Sequence, residues 1–344
     1  MVTSLEIDEF LKQSAGHLMI DVRSEGEYEY GHIPQAVNMP LFNNEERKIV
    51  GTLYKQQGKE EAIIMGRQIA EKKIPGFLEF VVGHKKSERV FVHCWRGGMR
   101  SEGVAMLLHQ HGYKVSVLKG GYKSYRHRVL NILAEPFRFI VLGGKTGSGK
   151  TDVLQQLKQR GAQMVDLEAL AQHKGSAFGA LGQAAQPSTE HFENLVAEEM
   201  KYFDRNKPVW VEDESRTIGR VFLDLNLWNH MRVSPLFVIE LPEEIRLKKL
   251  IREYGSFSIE ELKESITKIK KRLGNEQWKL AIDALASGDV PQAVQIALRY
   301  YDKAYEKGIA LKDTKNIIHL LFEDGQPDSI ANTLIEQAHK NYGN

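Results

Sequence analysis

The sequence predicts an α/β protein: two domains in tandem, each built on a mostly parallel sheet, the second running into a helical C-terminal region. Three observations carry that reading. Short apolar runs alternate with helix-prone segments, and the alternation restarts after Pro136. Two of the runs end in glycine-bearing loops that lead directly into a helix. The length, 344 residues, exceeds one ordinary domain and suits two of roughly 100–200 residues each. The expected division is 1–134 and 135–344.

Taken in order, MVTSLEIDEFLKQ opens with a helical stretch, and LMIDVRS is an apolar run ending in Asp21, Val22 and Arg23 that reads as a buried strand. Gly31 and two prolines, Pro34 and Pro40, break the pattern. The polar segment NNEERKIVGTLYKQQGKEEAIIMGRQIAEKK then reads as two helices. RVFVHC (89–94) is β-rich, and RGGMRSEGVAMLLHQHGY repeats Val104, Leu107, Leu108 and His111 at helical spacing. KVSVLKGG is a further strand. After Pro136, RFIVLGG is a strand followed by a glycine-rich loop and the helix TDVLQQLKQRG. QMVDLEAL, KPVWVEDES and PLFVIELP supply further strands, and from about residue 243 the chain turns charged and helical.

Composition removes several classes. Hydrophobic residues make up 42% and charged residues 27%, a globular balance, and no apolar run approaches the ~18 residues a membrane span needs. The N-terminus lacks a basic region followed by an apolar stretch, so the expected location is the cytoplasm, with no membrane partner. A single cysteine excludes an internal disulfide and any all-cysteine metal site. A net charge of +2 does not by itself announce a nucleic-acid binder, because such a footprint depends on local clustering.

HCWRGGMRS places Cys94 at the end of a strand, with Gly97 and Gly98 before Arg100 and Ser101 at the start of a helix. Glycines let successive N–H groups turn inward, the helix N-terminus adds partial positive charge, and Arg96 or Arg100 completes an anion cradle. The same field favours thiolate, so Cys94 is the candidate nucleophile. His93 reads as a strand-end residue rather than a general base. DVRSEGEYEYGHIPQAVNMP, then HCWRGGMRS, then LKGGY resemble the rhodanese family over residues 4 to 130. Asp21, Arg23, Glu27, Gly31, His32, Ile33, Pro34, Ala36, Asn38 and Pro40 match its early signature, and Cys94 falls on its sulfur-carrying cysteine. Five residues separate Cys94 from Arg100, one more than in the family's ordinary sulfurtransferases and the loop length of phosphatases of the same fold. The resemblance therefore implies a larger, tetrahedral anion such as a selenophosphate or thiophosphate.

GKTGSGKT, Gly144 to Thr151, satisfies the phosphate-loop pattern between a strand and a helix. Backbone N–H groups around Thr146, Gly147, Ser148, Gly149 and Lys150 are expected to cradle a diphosphate, with Lys150 on its outer oxygens and Thr151 able to hold Mg²⁺. VWVEDES ends in Glu212, Asp213 and Glu214, placed where a metal-supporting carboxylate of a P-loop protein lies; which of the three faces the site stays open. The loop specifies a diphosphate and not a nucleotide, and no base-selective motif follows it.

The joint pattern, with NNEERKIVGTLY, YKQQGKEEAIIMG, GAQMVDLEALAQHKGSAFG, QPSTEHFE and VEDESRTIG, resembles the tRNA 2-selenouridine synthase family over nearly the whole chain. The resemblance implies a rhodanese-like parallel-sheet domain followed by a P-loop α/β domain. It implies a transferase acting on 2-thiouridine at the tRNA wobble position: geranylation of the sulfur from geranyl diphosphate, then replacement of geranylthiol by selenium from selenophosphate. No tightly bound cofactor or ATP is then expected, and a selenophosphate-producing enzyme is an expected partner. Candidate tRNA contacts are GYKSYRHR, with Tyr122, Lys123, Tyr125, Arg126 and Arg128, and the basic stretches 246–253 and 268–274. Two alternatives remain: a sulfurtransferase coupled to an ATP-dependent kinase or activating domain, and a phosphatase or non-catalytic binding module.

Overall fold

The computed structural model describes residues 2–312 and 316–342. The chain forms two compact units, Met1–Ile132 with Glu193–Glu198, and Leu133–Phe192 with Glu199–Asn344.

The first unit runs β1 (Thr3–Leu5), α1 (Ile7–Ser14), β2 (Met19–Asp21), α2 (Glu25–Tyr30), β3 (Val37–Asn38), α3 (Asn44–Gln56), α4 (Lys59–Val81), β4 (Arg89–His93), α5 (Met99–Gln110), β5 (Lys114–Leu118) and α6 (Gly121–Ala134), the last crossing into the second unit. The strands lie in the order β1-β5-β4-β2-β3, and every pair is parallel. Both faces are covered, which is why β2 and β4 are nearly continuous apolar runs. Val92, Val104, Leu108, Val115 and Phe77 pack in one core that includes Cys94. The polar segment after residue 43 is two helices: Asn43 and Glu46 form a capping box that starts α3, and Gly58, at φ +106°, separates it from α4. β1 and β3 lacked a sequence signal because strands of three and two residues carry no measurable period.

The second unit contains β6 (Phe139–Gly144), α7 (Lys150–Gln159), β7 (Gln163–Val165), α8 (Leu167–Leu170), the ends of α9 (Thr189–Met200), β8 (Val209–Glu212), the strand pair β9 (Thr217–Ile218) and β10 (Val221–Phe222), α10 (Leu225–Val233) and β11 (Leu236–Glu240). Then follow α11 (Glu243–Tyr254), α12 (Ile259–Lys268), α13 (Lys270–Leu273), α14 (Asn275–Ala286), α15 (Val290–Ile309), β12 (Ile317–Leu321) and α16 (Pro327–Tyr342). Its sheet, β12-β11-β6-β8-β7, is also wholly parallel, with the fully buried β6 at the centre. Among the described residues the region beyond 243 is helical apart from β12, whose run IIHLL becomes an edge strand by pairing with β11. Among the described residues no helix is long and apolar enough to cross a membrane.

Candidate functional site

In the first unit, Cys94 follows the central strand β4 and is 3% exposed. The loop behind it is held by contacts that only glycine permits. Gly97 has φ +67°, and a Cβ there would lie 2.5 Å from the carbonyl oxygen of Leu118. Gly121 has φ +59°, and its Cβ would lie 2.4 Å from the carbonyl oxygen of Cys94. The LKGGY turn therefore closes on the cysteine loop: Tyr122 N–H donates to the Cys94 carbonyl at 2.8 Å, and Lys123 N–H to that of Trp95 at 3.0 Å.

The thiol itself receives a hydrogen bond from Ser101 Oγ at 3.2 Å. Burial opposes ionisation, but the Ser101 hydroxyl, the charge of Arg100 and the N–H groups of Gly98 and Arg96 outweigh it and hold Cys94 below the ordinary thiol range. Arg100 is oriented by Glu27, to which it donates at 2.9 Å. Arg96 contributes through its backbone, and its side chain is exposed. Beside the loop, Asp21 and Arg23 form a fully buried ion pair, and Arg23 also donates to the Gly31 carbonyl at 2.7 Å. Burial lowers the His93 pKa ahead of the opposing pull of Asp21, so the imidazole is neutral inside the strand.

The tyrosines assigned to tRNA stacking are not available for it. Tyr122 is 0% exposed, its ring lies 3.8 Å from the Arg23 guanidinium, and its hydroxyl accepts from Asn194 at 2.8 Å. Tyr125 is buried as well, and burial raises its pKa. Tyr122, Tyr125, Val129 and Ile132 recur at helical spacing on the buried face of α6. Arg126 is paired with Glu193 and Arg128 with Asp8, whereas Lys123 is exposed.

In the second unit, Gly144, Gly147 and Gly149 all take positive φ in the loop between β6 and α7. A Cβ on Gly147 would lie 2.9 Å from the carbonyl oxygen of Arg246. Arg246 is buried, pairs with Asp302 at 2.7 Å and donates to the Thr146 carbonyl at 3.2 Å, so α11 and α15 brace the loop. Gly144 N–H donates to Tyr305 Oη at 2.7 Å, Lys150 Nζ reaches the Gly144 carbonyl at 3.2 Å, and Ser148 is buried. The loop lines a cavity of about 590 Å³ that also includes Thr151, Glu168, Asp213, Glu214 and Lys249.

The three carboxylates after β8 separate. Glu212 is buried, accepts from Leu167 N–H at 3.0 Å, and is pushed well above the ordinary carboxylate range by burial and then by Asp166 and Glu168; it does not line the cavity, so the expected metal-supporting role falls to its neighbours. Strand alternation turns Trp210 and Glu212 away from the face that Asp213 takes. Asp213 lines the cavity and is paired with Lys312. Glu214 is pushed up to about 8 by burial and by Glu168, against the pull of Lys150. Thr151 Oγ1 lies 3.4 Å from Glu168 Oε2. Sequence reasoning missed Glu168, although VDLE directly after a strand of the same sheet was its signal. It also assigned 246–253 to tRNA, whereas Arg246 and Lys249 face the phosphate loop, Lys249 paired with Asp152 there. Among the described residues no group of three or more His, Cys, Asp or Glu could hold a metal by itself.

The fold and the two loops define a rhodanese-like cysteine domain followed by a P-loop α/β domain. Residues 6–128 match the family model of the rhodanese-like domain, and residues 137–341 that of the tRNA 2-selenouridine synthase AAA domain. The tRNA 2-selenouridine synthase of Sulfurovum sp. is 32% identical, with 88% of this chain and 91% of that protein covered; that of Shewanella sediminis is 34% identical, with 88% and 90% covered. A crystal structure of the N-terminal domain of a protein from Clostridium difficile 630 is 41% identical, covering 37% of this chain and 99% of that domain, with a TM-score of 0.35. The chain belongs to the tRNA 2-selenouridine synthase family and is a transferase.

Proposed function

We propose that the chain converts 2-thiouridine at the tRNA wobble position to 2-selenouridine in two steps. In the first, the thiouridine sulfur attacks C1 of geranyl diphosphate, the C–O bond breaks, diphosphate leaves with the electron pair, and N3 loses its proton. In the second, selenium of selenophosphate adds at C2 and geranylthiol is expelled. Water then cleaves the P–Se bond to release phosphate, and N3 is protonated again. Alkylation is what makes the sulfur a good leaving group.

The observation that carries this reading is that one chain holds two anion-binding loops of different equipment. The phosphate loop, with Lys150 and Thr151, suits the diphosphate leaving group and its developing charge. The cysteine loop, with a thiol biased toward thiolate and Arg100 fixed beside it, suits selenophosphate. The hard oxygen donors of Thr151, Glu168 and Glu214 fit Mg²⁺, which would neutralise diphosphate charge when bound. A tRNA substrate favours a cytoplasmic protein, and the reaction calls for a selenophosphate-producing enzyme as supplier.

The test is incubation with 2-thiouridine-containing tRNA, geranyl diphosphate and selenophosphate without ATP, followed by mass spectrometry of the nucleosides. S-geranyl-2-thiouridine is expected first and 2-selenouridine afterwards. Strict ATP dependence, or unchanged tRNA, would overturn the reading.

A further inference from the structure

Between β3 and β4 the first unit inserts α3 and α4, and these helices enclose a cavity of about 590 Å³ against α5. That volume lies within the ~300–1,000 Å³ usual for small-molecule sites. Phe42, Val50, Ile63, Ile74, Phe77 and Leu107 are among its walls. At its edge Met99 and Met106 are 59% and 55% exposed. Methionines left in water beside an apolar hollow are a poor way to complete a core and an adaptable way to receive an apolar ligand.

The cavity borders the cysteine loop at the first turn of α5. Met99 and Arg100, the first two residues of that helix, also line the cavity. Arg100 acts on both sides, since its charge favours the Cys94 thiolate while its side chain borders the apolar space. Arg47, also lining the cavity, lies 3.6 Å from Glu27, the carboxylate that orients Arg100. The lining is mostly apolar, with charged side chains among it, and Arg47 and Arg100 are the cations tied to Glu27 beside the cysteine loop.

We propose that this cavity holds the ten-carbon chain of S-geranyl-2-thiouridine during the selenium step, so that the C2–S bond lies at the cysteine loop. The inference rests on the two-step reading above and adds the site of the leaving group. The chain, not the sulfur alone, becomes the recognition element, and unalkylated 2-thiouridine gains nothing from the cavity.

Anticodon stem-loop RNAs carrying S-geranyl- or S-methyl-2-thiouridine, supplied with selenophosphate, test this by the ratio of their kcat/KM values. Each buried methylene contributes roughly fourfold, so burial of even part of the chain gives a preference for S-geranyl of about 100-fold. Ala70 lines the cavity, and Ala70→Trp is expected to collapse the ratio to below about tenfold. An unchanged ratio in a folded variant overturns the proposal. Independently, protein labelled with ¹³C-methyl methionine is titrated with geranylthiol. Shifts at Met99 and Met106 support the site, and shifts confined to other methionines, or none, overturn it. Should neither RNA be selenated by the unmodified protein, the two-step reading fails, and the titration still decides the cavity.

Discussion

Replacing Ser101 by alanine removes its side-chain hydrogen bond to Cys94 while leaving Arg100 and the N–H groups of Gly98 and Arg96 in place. Hydrogen bonds to charged groups contribute about 1.5–3 kcal/mol. With a soft sulfur acceptor the lower end applies, and about 1.4 kcal/mol is a tenfold change in the ionisation ratio. The bond favours the charged form and holds the thiol below its ordinary range, so its loss moves the ionisation midpoint to higher pH. Below the midpoint the thiolate fraction falls about tenfold. A more basic thiolate is also more nucleophilic, with a Brønsted coefficient of about 0.4–0.5, so each remaining thiolate reacts about threefold faster. The pH profiles of the two proteins are therefore expected to cross: Ser101→Ala reacts about threefold more slowly with 4,4′-dithiodipyridine at low pH and about threefold faster on the alkaline plateau. Because the chain has one cysteine, the absorbance change reports Cys94 alone. Superimposable profiles, or a midpoint moved downward, would refute the assignment of Ser101 as a thiolate-stabilising donor.

Cys94→Ala is expected to abolish 2-selenouridine while S-geranyl-2-thiouridine still accumulates, and Lys150→Ala to lower geranylation by 10-fold or more; nucleoside mass spectrometry reads both, and intact selenation in Cys94→Ala would show that the selenium step does not need the thiol. Glu214 has a folded pKa of about 8, above its unfolded value, so its contribution to stability is full at acid pH and is lost as pH rises toward 8. Urea midpoints of the parent protein are expected to fall over that window relative to Glu214→Gln, and parallel curves would contradict the raised pKa. Arg23→Ala leaves Asp21 buried without its cation, a loss of about 3–5 kcal/mol. Amide exchange in β2 and β4 is expected to quicken by 100-fold or more, and rates within threefold of the parent would show that the pair is dispensable.

What could be read from the sequence divides along a physical line. The cysteine and phosphate loops were legible because their glycines and the spacing to the following helix are written in consecutive residues, even though the carbonyl oxygens that Gly97 and Gly147 approach, those of Leu118 and Arg246, lie far off in the sequence. Glu168 was not legible as a partner of Thr151, because the contact exists only once β7 lies in the same sheet as β6 and β8. β12 was hidden for the same reason, since four apolar residues around His319 become a strand only when β11 offers an unpaired edge. The error over Tyr122 and Tyr125 was of another kind. Their spacing with Val129 and Ile132 already described the buried face of a helix, but the neighbouring Lys and Arg residues drew the reading toward a surface. Local charge density was weighed above period, and burial followed the period.

Both loops sit at the carboxyl end of the third, central strand of a five-stranded parallel sheet, β4 in one unit and β6 in the other. At that point the chain leaves the sheet between two flanking strands, glycines turn N–H groups toward the gap, and a helix N-terminus points at it. Anion binding is thus a property of topology and glycine in both units. What separates their chemistry is a few side chains placed on this shared frame. Ser101 and Arg100 bias a thiol toward the nucleophilic form in the first, whereas Lys150, Thr151 and the Glu168–Glu214 pair offer charge and oxygen ligands without a nucleophile in the second. A frame that binds oxyanions in either case explains how one chain can use two such substrates. It also places the burden of distinguishing them on residues outside the glycine motifs, which is why Ser101 and Glu214 are the positions where substitution is most informative.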